Sequence, residues 1–195
     1  MELFNIIKTK EHKIMYRPNE IESILVSEEE IRAKVKEMGR VLTEEYKDKN
    51  PLFLCVLKGS VTFFSDLIRA VECPLEIDFI RASSYGSGTV SGGKVNFTVG
   101  GHVHIEGRDV VVVEDILDTA RTLYTVKNEM LRSEPASLKI VTLLDKPSRR
   151  VVKGFSADYT GFAIEDHFVV GYGLDYNERF RNLPYVGILK PEVYT

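Results

Sequence analysis

The sequence predicts an α/β fold with a mostly parallel central sheet flanked by helices. Apolar runs typical of buried strands alternate with amphipathic helical patterns over the first two-thirds of the chain. The run at 110–113 consists of four valines, which are too apolar to be solvated and too β-branched to favour a helix. No internal repeat or low-complexity linker divides the chain, so we expect a single domain over residues 1–195.

The predicted elements follow one another in a regular order. Ser27 and Glu30 form a capping box ahead of a helix predicted over 28–46. Residues 1–26 predict a short strand and a loop. The other predicted helices lie at about 61–70 and after residue 122, and the other predicted strands lie at 52–57, 75–82, 95–99, 110–113, 137–144, 159–164, 167–172 and 185–189. Parallel strands that are joined through helices require right-handed crossovers.

The segment from Ser83 to Lys94 differs from the rest because it is rich in glycine and serine. Such a segment cannot contribute to a packed core, so we expect either a plain hairpin loop or a mobile lid that closes over a site. His102 and His104 follow the returning strand and alternate along the chain. Without a third ligand at a recognisable spacing, a solvated edge is favoured over a metal pair.

Charge and composition narrow the class of protein. The contents of 44% hydrophobic and 28% charged residues are typical of a globular protein. The net charge of −3 argues weakly against a surface that binds nucleic acid. The two cysteines, Cys55 and Cys73, suit a reducing compartment rather than a disulfide framework. No stretch is apolar over the length of a membrane span or of a signal peptide. We therefore expect a cytoplasmic protein with no membrane or nucleic-acid partner.

The stretch after the four valines carries the strongest chemical pattern. Glu114 and Asp115 are adjacent, and their mutual repulsion is costly unless a cation or a set of hydroxyls is held there. The polar turn 118–122 then opens a helix, whose first backbone N–H groups bind anions such as a phosphate monoester. A buried strand followed by an ordinary helix cap is the alternative interpretation. No Gly-Lys-Ser/Thr follows a glycine-rich run, which disfavours ATP hydrolysis of the Walker type.

The segment 110–122, Val-Val-Val-Val-Glu-Asp-Ile-Leu-Asp-Thr-Ala-Arg-Thr, resembles the phosphoribosyl-pyrophosphate signature of the type I phosphoribosyltransferases. Further segments resemble, in order from about residue 20 to 190, the hypoxanthine-guanine phosphoribosyltransferase family: 57–60, 78–81 with Ser84 and Tyr85, 144–147, and 168–181. The resemblance implies a core at about 28–165, a small hood from the N-terminal residues and about 166–195, and a flexible antiparallel lid loop at about 83–95.

The resemblance implies a purine salvage enzyme that transfers 5-phosphoribose from phosphoribosyl pyrophosphate to hypoxanthine or guanine, giving IMP or GMP and pyrophosphate. It also implies Mg²⁺ as cofactor and a homodimer or homotetramer. Glu114 and Asp115 would hold the ribose hydroxyls, directly or through metal. Asp118 would accept a proton from the purine or, in a blander role, orient the ring. The 5′-phosphate would be held by Asp118, Thr119, Ala120, Arg121 and Thr122.

The resemblance also assigns the pyrophosphate and the base. Pyrophosphate would bind to Leu57, Lys58, Gly59 and Arg181, with a cis Leu57–Lys58 peptide bond, and a second Mg²⁺ to Asp175. The purine would meet Lys146 at its C6 oxygen, Phe168 by stacking, and the backbones of Val169 and Asp175, while Ser84 and Tyr85 would belong to the lid. Judged by sequence pattern alone, Lys146 is a solvated loop lysine and Phe168 a core aromatic residue.

One departure from the family pattern lies in the phosphate loop. Ala120 stands where the family usually has glycine, which is tolerable at negative φ and strained at positive φ. Two other functions remain open at this point: an RNA-binding regulator on the same fold, and an adenine or orotate enzyme. The acidic net charge argues against the first, and Lys146 with the segment around Asp175 argues against the second.

Overall fold

The computed structural model describes residues 18–84, 95–99 and 104–195, with only the backbone for 82–84 and 95–99. Its main sheet has six strands in the order β4-β3-β2-β5-β6-β7. These strands are β2 (Leu52–Leu57), β3 (Glu76–Ser84), β4 (Val95–Val99), β5 (Asp109–Leu117), β6 (Ser137–Asp145) and β7 (Tyr159–Ala163). All neighbouring strands are parallel except β3 and β4, which are antiparallel. The predicted α/β class with a mostly parallel sheet is confirmed.

Three helices cover the two faces of this sheet: α1 (Glu28–Tyr46), α2 (Val61–Ala70) and α3 (Arg121–Leu131). The capping box of Ser27 and Glu30 forms at the start of α1, as predicted. Helices α1 and α2 pack with Val111 and Val113 in one core cluster, whereas α3 packs with Val110 and Val112 in another. All four valines are fully buried, which confirms that β5 is covered on both faces.

A second, three-stranded antiparallel sheet brings the two ends of the described chain together. Its order is β1-β9-β8, with β1 (Ile21–Val26), β8 (Val169–Val170) and β9 (Val186–Leu189). A third core cluster lies beneath it and includes Phe180 and Tyr185. Strand β8 is shorter than the predicted 167–172 because the chain turns at Tyr172, whose φ is +50°. Period-2 patterning does not reveal such a turn, since the turn residues are themselves apolar.

The remaining predicted elements agree with the structure to within about two residues, apart from β5, which runs on beyond the valines to Leu117. The residues expected to form the lid, 85–94 with Tyr85, and His102 lie outside the described residues. Cys55 and Cys73 are both free thiols. Among the described helices, none combines the length and the apolar character needed to cross a membrane.

Candidate active site

Most of the predicted site residues that the structure describes gather at one edge of the main sheet. Parallel strands place their carboxyl ends at the same edge, and ligands of open α/β sheets bind there. Strand β2 ends at Leu57, next to Lys58; β5 runs through the acid pair to Leu117; and β6 ends at Asp145, next to Lys146. The three segments are far apart in sequence and meet because β2 and β6 both pair with β5.

The acid pair belongs to β5 itself. Glu114 and Asp115 are each less than a tenth exposed, and the backbone N–H of Asp115 donates to Oε1 of Glu114 at 3.2 Å. Burial raises the pKa of the Glu114 carboxyl well above its ordinary value, and the charge of Asp115 adds to the shift. Burial also raises the pKa of Asp115, while the hydrogen bond with Glu114 and the charge of Arg181 oppose that rise. A cation or hydroxyl donors bound here would relieve the electrostatic cost of the pair.

The loop after β5 leads into α3 through a left-handed residue. Ala120 is the N-cap of α3, with φ +70° and ψ −3°, and its side chain is buried. Of the two conformations considered for Ala120, the structure therefore has the strained one, with positive φ. An alanine in this region costs roughly 1–2 kcal/mol relative to a right-handed conformation. The strained residue lies where the chain turns from β5 into the start of α3, which is the end of a helix that favours anions.

The carbonyl groups of this loop are held from one side by the segment that follows β6. Leu117 O accepts from the backbone N–H of Lys146 at 2.9 Å and from Arg150 Nη1 at 3.0 Å. Thr119 O accepts from the backbone N–H of Val151 at 3.1 Å. The first N–H groups of α3 have no carbonyl partner within the helix, and that of Arg121 donates at 3.5 Å to the side-chain oxygen of Thr119.

Two cations lie on the other side of the acid pair. Arg181 donates to Gly173 O at 2.8 Å, and its Nη2 lies 2.8 Å from Asp175 Oδ1. Lys58 follows Leu57 through a cis peptide bond, as the resemblance implied. The two cations share one anion, because Glu178 pairs with Lys58 at 2.9 Å and with Arg181 at 3.1 Å. Hydrogen bonds from Lys58 and Arg181 lower the pKa of Glu178.

Gly59 connects the cation side of the site to the acid pair by close approach. A Cβ at Gly59 would overlap the carboxylate of Asp115. Gly173, at φ +103°, is similarly packed, because a Cβ there would overlap the carbonyl oxygen of Gly59. The two glycines therefore let three segments of the chain come together around Asp115.

A third group of residues forms a pocket with an aromatic wall. Lys146 is only 7% exposed; its Nζ donates to His167 O and lies 3.8 Å from Asp166 Oδ1. Phe168 is 37% exposed and stacks on Tyr194, with 4.6 Å between the ring centroids and 21° between the planes. The pattern-based expectations of a solvated lysine and a core phenylalanine are therefore wrong. The lysine is buried and the aromatic ring is open to a ligand.

Asp118 lies between these groups and is held by an arginine. Arg149 Nε donates to Asp118 Oδ1 at 3.2 Å, and Arg149 Nη1 lies 3.6 Å from Asp166 Oδ2. All three side chains are partly exposed, so these pairs contribute little to stability. Their effect is on position, since Asp118 and Lys146 are connected through Arg149 and Asp166.

Three adjoining cavities of about 610, 320 and 410 Å³ are lined by these residues and together make up the cleft. The first contains Lys58, Gly59 and Arg181, and the second contains the loop 118–120 with Thr122. The third contains Lys146, Phe168, Val169 and Tyr194. The acid pair lines the first and second, Asp118 lines the second and third, and Asp175 lines the first and third.

Comparisons with known proteins identify the family of this chain. A phosphoribosyl transferase domain matches residues 19–177. A hypoxanthine-guanine phosphoribosyltransferase from Lactococcus lactis is 55% identical over 89% of this chain and 94% of its own length. This chain belongs to the hypoxanthine-guanine phosphoribosyltransferase family. A Bacillus subtilis protein of the same name is 53% identical over 90% of this chain and 97% of its own length.

Solved structures of the hypoxanthine-guanine phosphoribosyltransferase family share the fold. A crystal structure of a hypoxanthine phosphoribosyltransferase from Staphylococcus aureus superposes with a TM-score of 0.85 at 47% identity, covering 91% of this chain and 96% of that one. The similarity extends over both sheets, since it spans nearly all of the described chain.

Several residues of this family member's cleft were not anticipated from its sequence. Glu178 lies inside the segment 168–181 that carried the resemblance, but nothing in its pattern indicated a contact with Lys58, 120 residues away. Arg81 lines the same cavity as a further cation. Tyr194, near the end of the chain, gave no signal because its contact with Phe168 depends on the second sheet. Arg149 follows Pro147 in a short 3-10 turn, where a basic side chain usually indicates only a solvated loop.

Two predicted positions remain at the margin of the site. Arg121 opens α3 with an exposed side chain. Ser84 ends β3, where its backbone is paired with Val95 of β4.

His104 is exposed and lies 3.8 Å from Glu106, as expected for a solvated edge.

Ala120 gives a direct prediction on stability. Ala120→Gly removes the left-handed strain, about 1–2 kcal/mol, and loses a buried methyl group worth about 0.8 kcal/mol, so we expect a net gain of about 0.2–1.2 kcal/mol in the free energy of unfolding. Urea unfolding at equilibrium measures it. Ala33→Gly, on the exposed side of α1, is the matched control and should lose about 1 kcal/mol. A loss at both positions would contradict the strain argument.

Proposed function

We propose that this protein transfers the 5-phosphoribosyl group of phosphoribosyl pyrophosphate to hypoxanthine and guanine, with release of pyrophosphate. The observation that carries the proposal is the position of Asp118, which lines both the cavity of the phosphate loop and the cavity of Lys146 and Phe168. A carboxylate shared by the two cavities lies where the purine nitrogen and the ribose carbon would meet. The names of the relatives support the same reaction.

In the proposed reaction, the purine N9 attacks C1′ of the ribose and the bond to pyrophosphate breaks. Asp118 accepts the proton that the imidazole ring of the purine loses, or orients that ring through a hydrogen bond. The backbone of 118–122 and the start of α3 hold the 5′-phosphate, since this helix end favours anions. Positioning of the two substrates supplies much of the rate enhancement.

We assign the leaving pyrophosphate to the cavity of Lys58, Gly59 and Arg181, because two cations meet there beside the acid pair. Glu114, Asp115 and Asp175 supply oxygen ligands of the type that Mg²⁺ prefers. Among the described residues, no three acidic, histidine or cysteine side chains are grouped to hold a metal without other ligands. That agrees with Mg²⁺, which is usually bound by one or two carboxylates and substrate phosphates. Bound Mg²⁺ neutralises charge on the pyrophosphate.

The base-binding assignment rests on Lys146 and Phe168. A buried ammonium group donates well to the C6 oxygen of an oxopurine and repels the C6 amino group of adenine, which is itself a donor. Phe168 offers one ring face to the purine while Tyr194 covers the other. The backbones of Val169 and Asp175 adjoin the same cavity and are assigned to the edge of the base.

A coupled assay tests the proposal. The purified protein with phosphoribosyl pyrophosphate, hypoxanthine and Mg²⁺ should release IMP and pyrophosphate in equal amounts. EDTA should stop the reaction, and excess Mg²⁺ should restore it. Tight binding of RNA together with no turnover of any purine would contradict the proposal and favour a regulator on the same fold.

Tyr194 gives a prediction on base affinity. Tyr194→Ala removes the stacked ring that holds Phe168 in position for the purine. Aromatic pairs of this kind contribute about 0.5–1.5 kcal/mol, so the KM for hypoxanthine and guanine should rise about 2- to 12-fold. Tyr194→Phe should keep the wild-type KM, and the KM for the ribose donor should not change. Tyr124→Ala is the matched control, because Tyr124 is an exposed tyrosine that contacts Phe155 instead. A lower KM in Tyr194→Ala would mean that Tyr194 occupies the place of the purine.

The finer organisation of the molecule is part of the same proposal. We assign a catalytic core at about 28–165, a hood from the N-terminal residues and about 166–195, and a lid at about 83–95 that includes Ser84 and Tyr85. We further propose a homodimer or homotetramer in the cytoplasm, with no membrane or nucleic-acid partner. Light scattering on the purified protein tests the oligomeric state, and a monomer at micromolar concentration would contradict it.

A further inference from the structure

We infer that Glu178 is an internal competitor of pyrophosphate, holding the two cations that pyrophosphate needs. The inference rests on the proposed function, which gives Lys58 and Arg181 to pyrophosphate. Glu178 uses one carboxylate oxygen for each cation: Oε1 lies 2.9 Å from Lys58 Nζ, and Oε2 lies 3.1 Å from Arg181 Nη2. A bridging anion between two cations is the arrangement that a pyrophosphate group would also adopt.

The backbone around Glu178 fixes the carboxylate at this place. Tyr176 and Arg179 exchange two backbone hydrogen bonds, of 3.2 and 3.0 Å, which closes a tight turn. Both central residues have positive φ, +50° at Asn177 and +61° at Glu178, as in type I′ turns. Asparagine suits such a position and glutamate does not, so a glycine would be expected at 178 on backbone grounds. An outlier of this kind indicates that the side chain has a function.

The same turn couples Glu178 to the proposed metal ligand. The backbone N–H of Glu178 donates to Asp175 Oδ2 at 2.9 Å, while Asp175 Oδ1 lies 2.8 Å from Arg181. Arg181 therefore pairs with two carboxylates, those of Asp175 and Glu178, and Lys58 also pairs with Glu178. Lys58 and Arg181 keep further N–H donors beside these contacts. Pyrophosphate oxygens that approach Lys58 Nζ and Arg181 Nη2 nevertheless meet a carboxylate already paired with both, and its negative charge repels them and offsets the attraction of the two cations.

Two consequences follow for the reaction. The competition from Glu178 lowers the affinity for pyrophosphate, and for the ribose donor that carries it. It also favours product release, since the carboxylate can return to each cation as the pyrophosphate leaves. Lys58 and Glu178 are both largely exposed, so we expect a moderate competition, of about 3- to 10-fold in affinity.

Glu178→Gln tests the inference, because it keeps the shape of the side chain and removes its charge. Calorimetric titration of the full-length protein with magnesium pyrophosphate should give a Kd about 3- to 10-fold lower than in the wild type. The KM for the ribose donor should fall as well, while kcat should stay equal or fall if pyrophosphate release limits turnover. Glu178→Gly should give the same tighter binding without loss of stability, since glycine suits the left-handed backbone.

Glu129→Gln is the matched control. It removes the same charge from an exposed ion pair, that of Glu129 with Arg132 on α3, and should leave the Kd for pyrophosphate unchanged. An unchanged or higher Kd in both Glu178 variants would overturn the inference and assign Glu178 to holding Lys58 and Arg181 in place. A wild-type protein that neither binds pyrophosphate nor forms IMP would instead overturn the proposed function, so the two failures are distinguishable.

Discussion

Asp118→Asn should lower kcat about 100- to 1000-fold while changing the KM for the ribose donor less than about threefold, since proton transfer by a positioned side chain contributes roughly 10²–10⁴-fold. The asparagine keeps the size of the side chain and an oxygen that can meet Arg149 Nε, which now lies 3.2 Å from Asp118 Oδ1. The phosphate loop should therefore keep its shape. Initial rates at varied concentrations of both substrates separate kcat from KM.

Glu76→Gln is the matched control for Asp118. Glu76 is also a partly exposed carboxylate that pairs with an arginine, Arg108, at 2.9 Å, but it lines none of the three cavities of the cleft. Its replacement should change kcat less than about threefold. An equal loss in kcat and in ribose-donor affinity for Asp118→Asn would show that Asp118 binds substrate and takes no part in the chemical step.

Lys146→Met should strongly reduce the preference for oxopurines. The variant keeps the length and apolar stem of the side chain and removes the ammonium group that reaches His167 O and Asp166. A hydrogen bond from a charged donor contributes about 1.5–3 kcal/mol, so kcat/KM for hypoxanthine and guanine should fall roughly 10- to 100-fold. The rate with adenine should not fall, because adenine has no C6 oxygen to lose a bond.

Lys153→Met, an exposed lysine on the segment after β6, is the control for Lys146 and should behave as the wild type. Purified variants compared by kcat/KM for each base give the result. If hypoxanthine and adenine lost rate equally in Lys146→Met, the lysine would be a structural residue of the pocket wall and the assignment to the C6 oxygen would be wrong.

The fold was largely predictable because its signals are local. The capping box at Ser27, the buried valines of β5 and the antiparallel return of β4 each depend on a few neighbouring residues, and each appears in the structure. The end of β8 was missed because Tyr172 turns with positive φ, which its apolar side chain does not indicate. Local sequence patterns therefore predict a helix or strand reliably where its hydrophobic period or its cap is clear. They are less reliable where the backbone turns within an apolar segment.

The site was predictable only in part, because its parts come from distant segments. The helix opening at 118–122 indicates an anion site from the sequence alone, and the acid pair beside it indicates a bound cation or hydroxyls. The roles of Lys146 and Phe168 came from the family resemblance, since their surroundings depend on residues 166–194. The conformation of Ala120 could not be predicted, because alanine ordinarily has a negative φ and its positive φ here depends on the surrounding structure. The bridge made by Glu178 is likewise a long-range contact.

Initial rates with phosphoribosyl pyrophosphate, Mg²⁺ and each of hypoxanthine, guanine, xanthine and adenine test the central claim most directly. The buried Lys146 ammonium group and the open face of Phe168 predict that kcat/KM for hypoxanthine and guanine exceeds that for adenine by at least about 100-fold. The rate with xanthine depends on the contacts at C2 and therefore tests how the protein binds that edge of the base. A rate with adenine above that with hypoxanthine would contradict the account.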